Sequence, residues 1–254
     1  MANLIACRIA SYGKFQDRGW SHLPTVGIRH VEIPVPGPDE IGDVGKRLAD
    51  HGLLASSFQG NCQITNPGLL DDMRTQLRAC TELGVRILFL SVKGGDTPRP
   101  EVWARMREVG DLAAAAGVTV VMETHPDLIS NGDVGRQTIE AINHPSVRIN
   151  YDTANVYYYN QNVDAVGELK KLIEYVVAVH LKETNGGYQT WHFPALGQGV
   201  VDFPEVFRLL NARGFTGPFT MELEGIKGIE WDEAGQVQCV EDSVAYLRRI
   251  GALT

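Results

Sequence analysis

The chain has 254 residues, with 31 Asp and Glu against 23 Lys and Arg, a formal charge of −8. That balance repels nucleic acid and anionic membrane surfaces at long range, and no Lys/Arg cluster offsets it, so the expected partner is a small molecule. No stretch approaches the ~20 apolar residues of a bilayer span. The opening "MANLIACRIASYGKF" has neither the basic start nor the long apolar run of a signal peptide, so a cytoplasmic protein is expected. The four cysteines, Cys7, Cys62, Cys80 and Cys239, form no C-x-x-C pair and read as free, buried thiols.

Short apolar runs alternate with longer amphipathic segments along the whole chain. The runs are "LIACRIA" from Leu4, "HVEIPV" from His30, "LLASSF" from Leu53, "VRILFLSV" from Val85, "VTVVME" from Val118, "VRINYD" from Val147, "VVAVHL" from Val176 and "FTMELE" from Phe219. Each is short, β-rich and bounded by polar residues or glycine, which makes eight strand candidates. The first crossover, around Ser21 to Arg29, is weakly helical and predicts at most a short helix. Further on, Asn66 reads as an N-cap with Pro67 at the first helical position. Leu70, Met73, Leu77 and Cys80 then share one face, and Gly84 is the stop. Val102, Met106, Val109 and Ala113 repeat the pattern up to Gly117, and Asp202 and Gly214 bracket another helix.

Eight βα units in 254 residues average about 32 residues each, the size of a (β/α)8 TIM barrel spanning residues 1–254 as one domain. A doubly wound open sheet also alternates strands and helices, but its first strand usually opens into a glycine-rich phosphate turn. "ASYGKF" is not such a turn.

The last four strands end on Glu123, Asp152, His180 and Glu222. In a barrel of this kind the chemistry sits at the C-terminal strand ends, and side chains alternate between faces. If Glu123 points inward, so do Val121 and Thr119; Ala178 and Val176 likewise lie beneath His180. Singly, each polar residue has a plainer explanation as a cap partner, an ion-pair member or a satisfied core histidine. Together they place three carboxylates and one imidazole in one mouth, where mutual repulsion calls for a cation. One divalent metal is predicted; Mn²⁺ fits this oxygen-rich, thiolate-free set best, and Co²⁺, Mg²⁺ and Zn²⁺ also fit.

Two residues beyond the ligands stand His125, Ala154, Lys182 and Glu224. His125 and Lys182 are candidates to grip substrate oxygens, although a simple Lys182–Glu224 pair accounts for the lysine equally well. The first four strands offer weaker candidates in Glu32, Gln59 and Lys93. Glu32 also suits a supporting role in the barrel, and Lys93 a solvated one. Trp20, Tyr157, Tyr158, Trp191 and Phe193 fall in loops able to wall a pocket.

The segments "VMETH", "INYDTAN", "AVHLKE" and "LGQGVVDFPEVFRLLNARGFTGPFTMELEG" resemble the xylose-isomerase-like barrels of sugar (phosphate) isomerases and epimerases over essentially the whole chain. The most specific portion is the G-x-G-x-x-D-F stretch from Gly197 to Phe203. The nearest outlines are ketose 3-epimerases, inosose isomerases and hydroxypyruvate isomerases. The resemblance implies metal ligation by Glu123, Asp152, His180 and Glu222. It also implies acid/base roles for Glu123 and Glu222 on opposite sides of a bound sugar or keto-polyol, through an enediolate. It is compatible with a homodimer or homotetramer. Two positions depart from the family: Asn155 stands where many relatives have a histidine three residues after the Asp, and Gly186 where some epimerases have an arginine. Asn155 can still donate a hydrogen bond to a substrate oxygen but cannot carry a proton at neutral pH.

The leading expectation is therefore a sugar isomerase or epimerase. The alternative is a lyase or dehydratase that expels a β-leaving group from a keto-sugar or keto-glycoside after the same proton abstraction. Endonuclease action at abasic DNA sites is disfavoured by the acidic charge and by Asn155. A non-catalytic sugar-binding barrel is disfavoured by the presence of both acid/base glutamates.

Overall fold

All eight apolar runs become strands of one parallel sheet that closes on itself. In the computed structural model, which describes residues 2–253, these are β1 (Leu4–Arg8), β2 (His30–Pro34), β3 (Leu54–Gly60), β4 (Ile87–Leu90), β5 (Thr119–Glu123), β6 (Val147–Asp152), β7 (Val176–Leu181) and β9 (Pro218–Met221). They follow one another round the barrel in chain order, and β9 closes against β1. A two-stranded antiparallel ribbon, β8 (His192–Phe193) with β10 (Gly225–Ile226), stands apart from the barrel. The fold is an α/β TIM barrel. Among the described residues no helix is long and apolar enough to cross a membrane.

Among the described residues nine α-helices surround the barrel, the last of them after the final strand: α1 (Gln16–His22), α2 (Ile41–His51), α3 (Leu69–Glu82), α4 (Arg99–Ala115), α5 (Gly132–Ile142), α6 (Asn155–Tyr159), α7 (Ala165–Leu172), α8 (Phe203–Ala212) and α9 (Glu233–Arg249). Helix α4 buries Val102, Met106, Val109 and Ala113 as its spacing predicts. Helix α8 is capped by Asp202, whose side chain accepts from the Glu205 amide. Helix α3 starts later than expected. Asn66 accepts from the Gly68 amide in a turn, so Gly68 caps the helix, Pro67 lies outside it, and Leu69 is buried while Leu70 is only half-buried. The first crossover holds more helix than its sequence suggested, a 3-10 segment (Ile9–Phe15), α1 and a second 3-10 turn (Leu23–Val26). Gly13, at φ +56°, interrupts it and hides the helical period.

Most of the core lies between the sheet and the helices, and a small separate cluster of Phe89, Val121 and Ala178 fills the barrel interior. Ile87 and Val177 pack against that cluster. Here the simple alternation fails once. The β6–β7 register skips a residue between Val176 and Ala178, so Val177 faces the interior set and Val176 joins the outer core. The bulge absorbs the extra residue below His180 and leaves the alternation above it intact. The four cysteines are free and buried, and burial pushes their thiols up to about 12.

Candidate metal centre and sugar pocket

Glu123, Asp152, His180 and Glu222 meet at the C-terminal mouth, all buried, each offering one ligand atom within 4.8 Å of the others. They do not share one hydrogen-bonding level. Asp152 pairs with His180, but Glu123 pairs with Asn150 and His180 with Thr220. The stagger of a closed barrel, not equal strand height, brings the four side chains together.

Each of the four side chains is held by its neighbours. Asp152 Oδ1 accepts from the amides of Ala154 and Asn155, both at 2.8 Å, so the "DTAN" turn fixes its carboxylate and starts α6. The His180 ring lies against Phe89, 4.7 Å between centroids. Its Nε2 donates to Glu32 at 3.1 and 3.3 Å, and Ser57 Oγ donates to Glu32 at 2.7 Å. Its Nδ1 faces Glu222 Oε2 at 3.2 Å and Glu123 Oε1 at 3.8 Å.

Carboxylates ~4 Å apart repel by about 4 kcal/mol each at an effective dielectric of ~20, so this mouth needs positive charge. Two side chains of the protein supply part of it. Burial works against charge on His180, but Glu32 and Glu123 outweigh it and raise the imidazole to about 9. Burial likewise opposes charge on Lys182, yet Asp152, Glu224 and Glu123 hold its ammonium above the usual range. Lys182 Nζ reaches Glu222 Oε2 at 3.0 Å, Asp152 Oδ2 at 3.3 Å and Glu224 Oε2 at 2.6 Å. Burial raises Asp152 above the ordinary carboxylate range. Burial also pushes Glu32 and Glu123 up, but His180 beside them pulls both below it.

Within the cluster His180 Nδ1 and Glu222 Oε2 face each other at 3.2 Å outside hydrogen-bond geometry, and the Lys182 ammonium beside Oε2 pairs with it by charge alone. Buried polar atoms without a hydrogen bond are rare in native proteins. A cation accepting a lone pair from each would satisfy both, and the carboxylate-rich set with one imidazole matches a hard or borderline divalent ion. Glu32 then stands where an outer carboxylate orients a metal-binding histidine.

Above the cluster is a cavity of about 240 Å³, smaller than the ~300–1,000 Å³ of drug-sized sites. His125, Asn155, Lys182 and Gln59 line it, as do the aromatic residues Tyr158, Trp191 and Phe193. Asn155 donates to Thr124 O at 3.0 Å and approaches Glu123 Oε1 at 3.5 Å. The Lys182–Glu224 pair exists alongside the lysine's contacts to the cluster.

Other expected residues lie elsewhere. Glu32 is under His180 and does not reach the cavity. Lys93 is exposed: the chain leaves the barrel after Leu90, so Ser91 lines the pocket and Lys93 faces solvent. Trp20 packs outside under Arg47, and Tyr157 OH accepts from the Ala165 amide. Tyr159 joins the wall unforeseen.

The larger omission is Arg8. At the end of β1 its Nη1 meets Glu222 Oε1, its Nε lies 3.8 Å from Glu32, and it lines the cavity. A charge closing an apolar run was the signal that revealed Glu123, and "LIACR" carries the same one.

The glycine-rich stretch serves the site indirectly. Glu183, next to Lys182, accepts from the amides of Thr184 and Gly197 at 2.9 Å and of Val201 at 3.1 Å. A Cβ at Gly199 would come within 2.1 Å of Thr184 O, so only glycine lets the loop close round this carboxylate.

Fold and site together define a parallel (β/α)8 barrel with a buried carboxylate–imidazole cluster beneath a small polar cavity. The family described as xylose isomerase-like TIM barrel matches residues 23–250, and the chain belongs to it. The L-ribulose-5-phosphate 3-epimerase UlaE of Salmonella typhi is 27% identical over 180 residues, 68% of this chain and 59% of that protein. The chain thus matches under two-thirds of that relative's length. The D-allulose 3-epimerase of Methylomonas sp., solved in complex with D-allulose, superimposes with a TM-score of 0.76 at 16% identity, covering 98% of this chain and 97% of that one. The probable 3-DHS dehydratase AsbF of Bacillus anthracis gives 0.74 at 15% identity, covering 98% and 99%. At these identities the two structures bear on the fold.

The placement of Glu32 makes one expectation. Glu32→Gln weakens Mn²⁺ binding about 10–100-fold, the usual size of an outer-carboxylate effect. Titration of Mn²⁺ by electron paramagnetic resonance reads it; unchanged affinity would remove Glu32 from the metal centre.

Proposed function

We propose that the protein is a divalent-metal-dependent sugar isomerase or epimerase that moves a proton next to a carbonyl. The observation that carries this reading is the convergence of Glu123, Asp152, His180 and Glu222 in one buried cluster under a small cavity, where His180 Nδ1 faces Glu222 Oε2 without a hydrogen bond. Membership of a family whose relatives include sugar epimerases supports it.

Glu123, Asp152, His180 and Glu222 would hold the ion. When bound, a divalent metal, Mn²⁺ by its fit to this donor set, supplies Lewis acidity that polarises a substrate carbonyl. The remaining work belongs to side chains. Glu123 is the freer base, since Oε1 is touched only by the 3.5 Å approach of Asn155 and the 3.8 Å approach of His180. It takes the proton beside the carbonyl, leaving an enediolate. Glu222, three strands further round the barrel, returns a proton to the other face or to the neighbouring carbon. Arg8 and Lys182 hold both its oxygens. Asn155, His125 and Lys182, which line the cavity, would bind hydroxyls.

Elimination of a β-leaving group is the second reading. It begins with the same abstraction, and the 2.6 Å Lys182–Glu224 pair at the cavity edge offers a proton to a departing oxygen. Proton NMR in D₂O with a panel of ketoses and keto-glycosides tests both. Mn²⁺-loaded protein is expected to incorporate deuterium next to the carbonyl and to lose that activity in chelator; an inverted centre marks epimerisation and an enone signal marks elimination. Exchange that persists in chelator, in protein purified without any divalent ion, would overturn the metal-dependent reading.

A further inference from the structure

The main-chain ladder stops short of the cluster at three joints of the barrel, and at each a buried hydroxyl carries it further. Between β5 and β6 the paired residues end at Glu123 and Asn150, between β6 and β7 at Asp152 and His180, and between β9 and β1 at Met221 and Cys7. One residue on, Thr124 donates its amide to Asn150 O and Thr153 donates its amide to His180 O, both at 3.2 Å. A regular parallel ladder would next use the carbonyls of these two residues to accept from the neighbouring strand. Here the side chains accept instead. Thr124 Oγ1 takes the Asp152 amide at 3.1 Å, and Thr153 Oγ1 takes the Lys182 amide at 3.0 Å. Thr153 Oγ1 also donates to Lys182 O at 2.7 Å and lies 3.3 Å from His180 O. At the third joint β1 has already turned into its 3-10 segment. Ser11 Oγ bridges the residues on either side of Glu222, donating to Met221 O at 3.3 Å and accepting from the Leu223 amide at 3.0 Å. All three hydroxyl residues are buried. The fourth joint, β7 to β9, has no such need, since Glu222 donates its own amide to Leu181 O at 3.0 Å.

We propose that Thr124, Thr153 and Ser11 are positioning residues for the metal centre. Their hydroxyls stand in for backbone where the chain leaves the sheet, and so fix the directions of Asp152, His180 and Glu222. The inference rests on the reading of the cluster as a metal site. The chain leaves the sheet because its backbone is used elsewhere. The amides of Ala154 and Asn155 turn back to Asp152 Oδ1, and Thr124 O accepts from Asn155 Nδ2, whose side chain lines the cavity. A hydroxyl can accept and donate as a peptide group does, whereas a methyl of the same shape can do neither. Without it the buried amides of Asp152, Lys182 and Leu223 lose these partners, and the strand ends are no longer held at the cluster. Threonine is suited to the task, because its branched Cβ restricts the direction of the hydroxyl. In the sequence it stands directly after Glu123 and directly after Asp152, at the two places where the chain turns out of the sheet.

Titration of Mn²⁺ by electron paramagnetic resonance, with the melting temperature of the metal-free protein measured beside it, tests the assignment. Thr124→Val and Thr153→Val keep the shape of the side chain and remove the hydroxyl. Each is expected to weaken Mn²⁺ binding about ten-fold or more, the scale of groups that orient metal ligands, while Thr124→Ser and Thr153→Ser stay within about three-fold of wild type. Ser11→Ala, a smaller cut at a separate joint, should weaken binding likewise, and it remains decisive if a valine variant fails to fold. Thr138→Val is the structural control. Its buried Oγ1 donates to Leu128 O at 2.6 Å, between α5 and the loop before it. That variant should melt at lower temperature and bind Mn²⁺ as wild type does. Unchanged affinity in the folded Val and Ala variants, no rescue by serine, or an equal loss in Thr138→Val would overturn the positioning role and leave the metal centre standing. Wild-type protein that binds no Mn²⁺ condemns the metal reading, and the positioning role with it.

Discussion

Glu123→Gln is expected to slow deuterium incorporation into substrate by about 10²- to 10⁴-fold, the usual contribution of a positioned general base. The amide keeps an oxygen in the same position but cannot take a proton, so the variant should retain its affinity for a divalent ion. Glu222→Gln should suppress exchange to a similar extent with a different structural cost. Arg8 and Lys182 both rest on the Glu222 carboxylate. Removing one partner of a buried ion pair costs about 3–5 kcal/mol. Lys182 retains Asp152 and Glu224, and Arg8 retains Glu32, so the cost falls at the lower end of that range. Glu222→Gln should therefore melt at clearly lower temperature than Glu123→Gln. Normal exchange in both variants would sink the two-glutamate chemistry, and equal melting temperatures would remove Arg8 as the anchor of Glu222.

Metal binding should expel a proton from His180. Its folded-state value is raised to about 9 from the ordinary 6.5, so the imidazolium predominates at pH 7 in the metal-free protein. The stability it lends to that form is complete below about 6.5 and is lost as pH rises through about 9. A metal ion takes the Nδ1 lone pair and so competes with this proton. Mn²⁺ affinity is expected to climb about ten-fold per pH unit between pH 7 and 9, with about one proton released per ion at pH 7.5. Calorimetry in two buffers of different ionisation enthalpy measures the release. A flat affinity over this range, with no proton liberated, would show that His180 Nδ1 does not receive the ion.

The barrel is legible because each strand is a short, β-rich run bounded by polar residues or glycine, a pattern that survives without tertiary context. Glu123, Asp152, His180 and Glu222 were legible because each breaks such a run where the barrel places its chemistry. Arg8 breaks β1 in the same way and was overlooked, since no residue near it in sequence answers its charge; Glu222 lies 214 positions later. The support that Glu32 gives His180 depends on closure of the sheet, which joins residues 148 positions apart. Lys93 and Val176 were misplaced for a local reason. Alternation was extended past the end of β4 in one case and through a bulge in the other, and neither event is written in side-chain polarity.

The carboxylate of Glu183 has a consequence for how a ligand arrives. It fastens the backbone at Thr184, Gly197 and Val201, the two ends of the segment that carries Trp191 and Phe193. The middle of that segment is tied as well, through the β8–β10 ribbon and the bond from the Lys227 amide to Trp191 O. A segment moored at both ends and at its centre cannot swing as a flap. The aromatic wall therefore stands in place before any ligand arrives, and capture becomes a matter of diffusion into a standing vestibule, with no slow closing phase after the encounter.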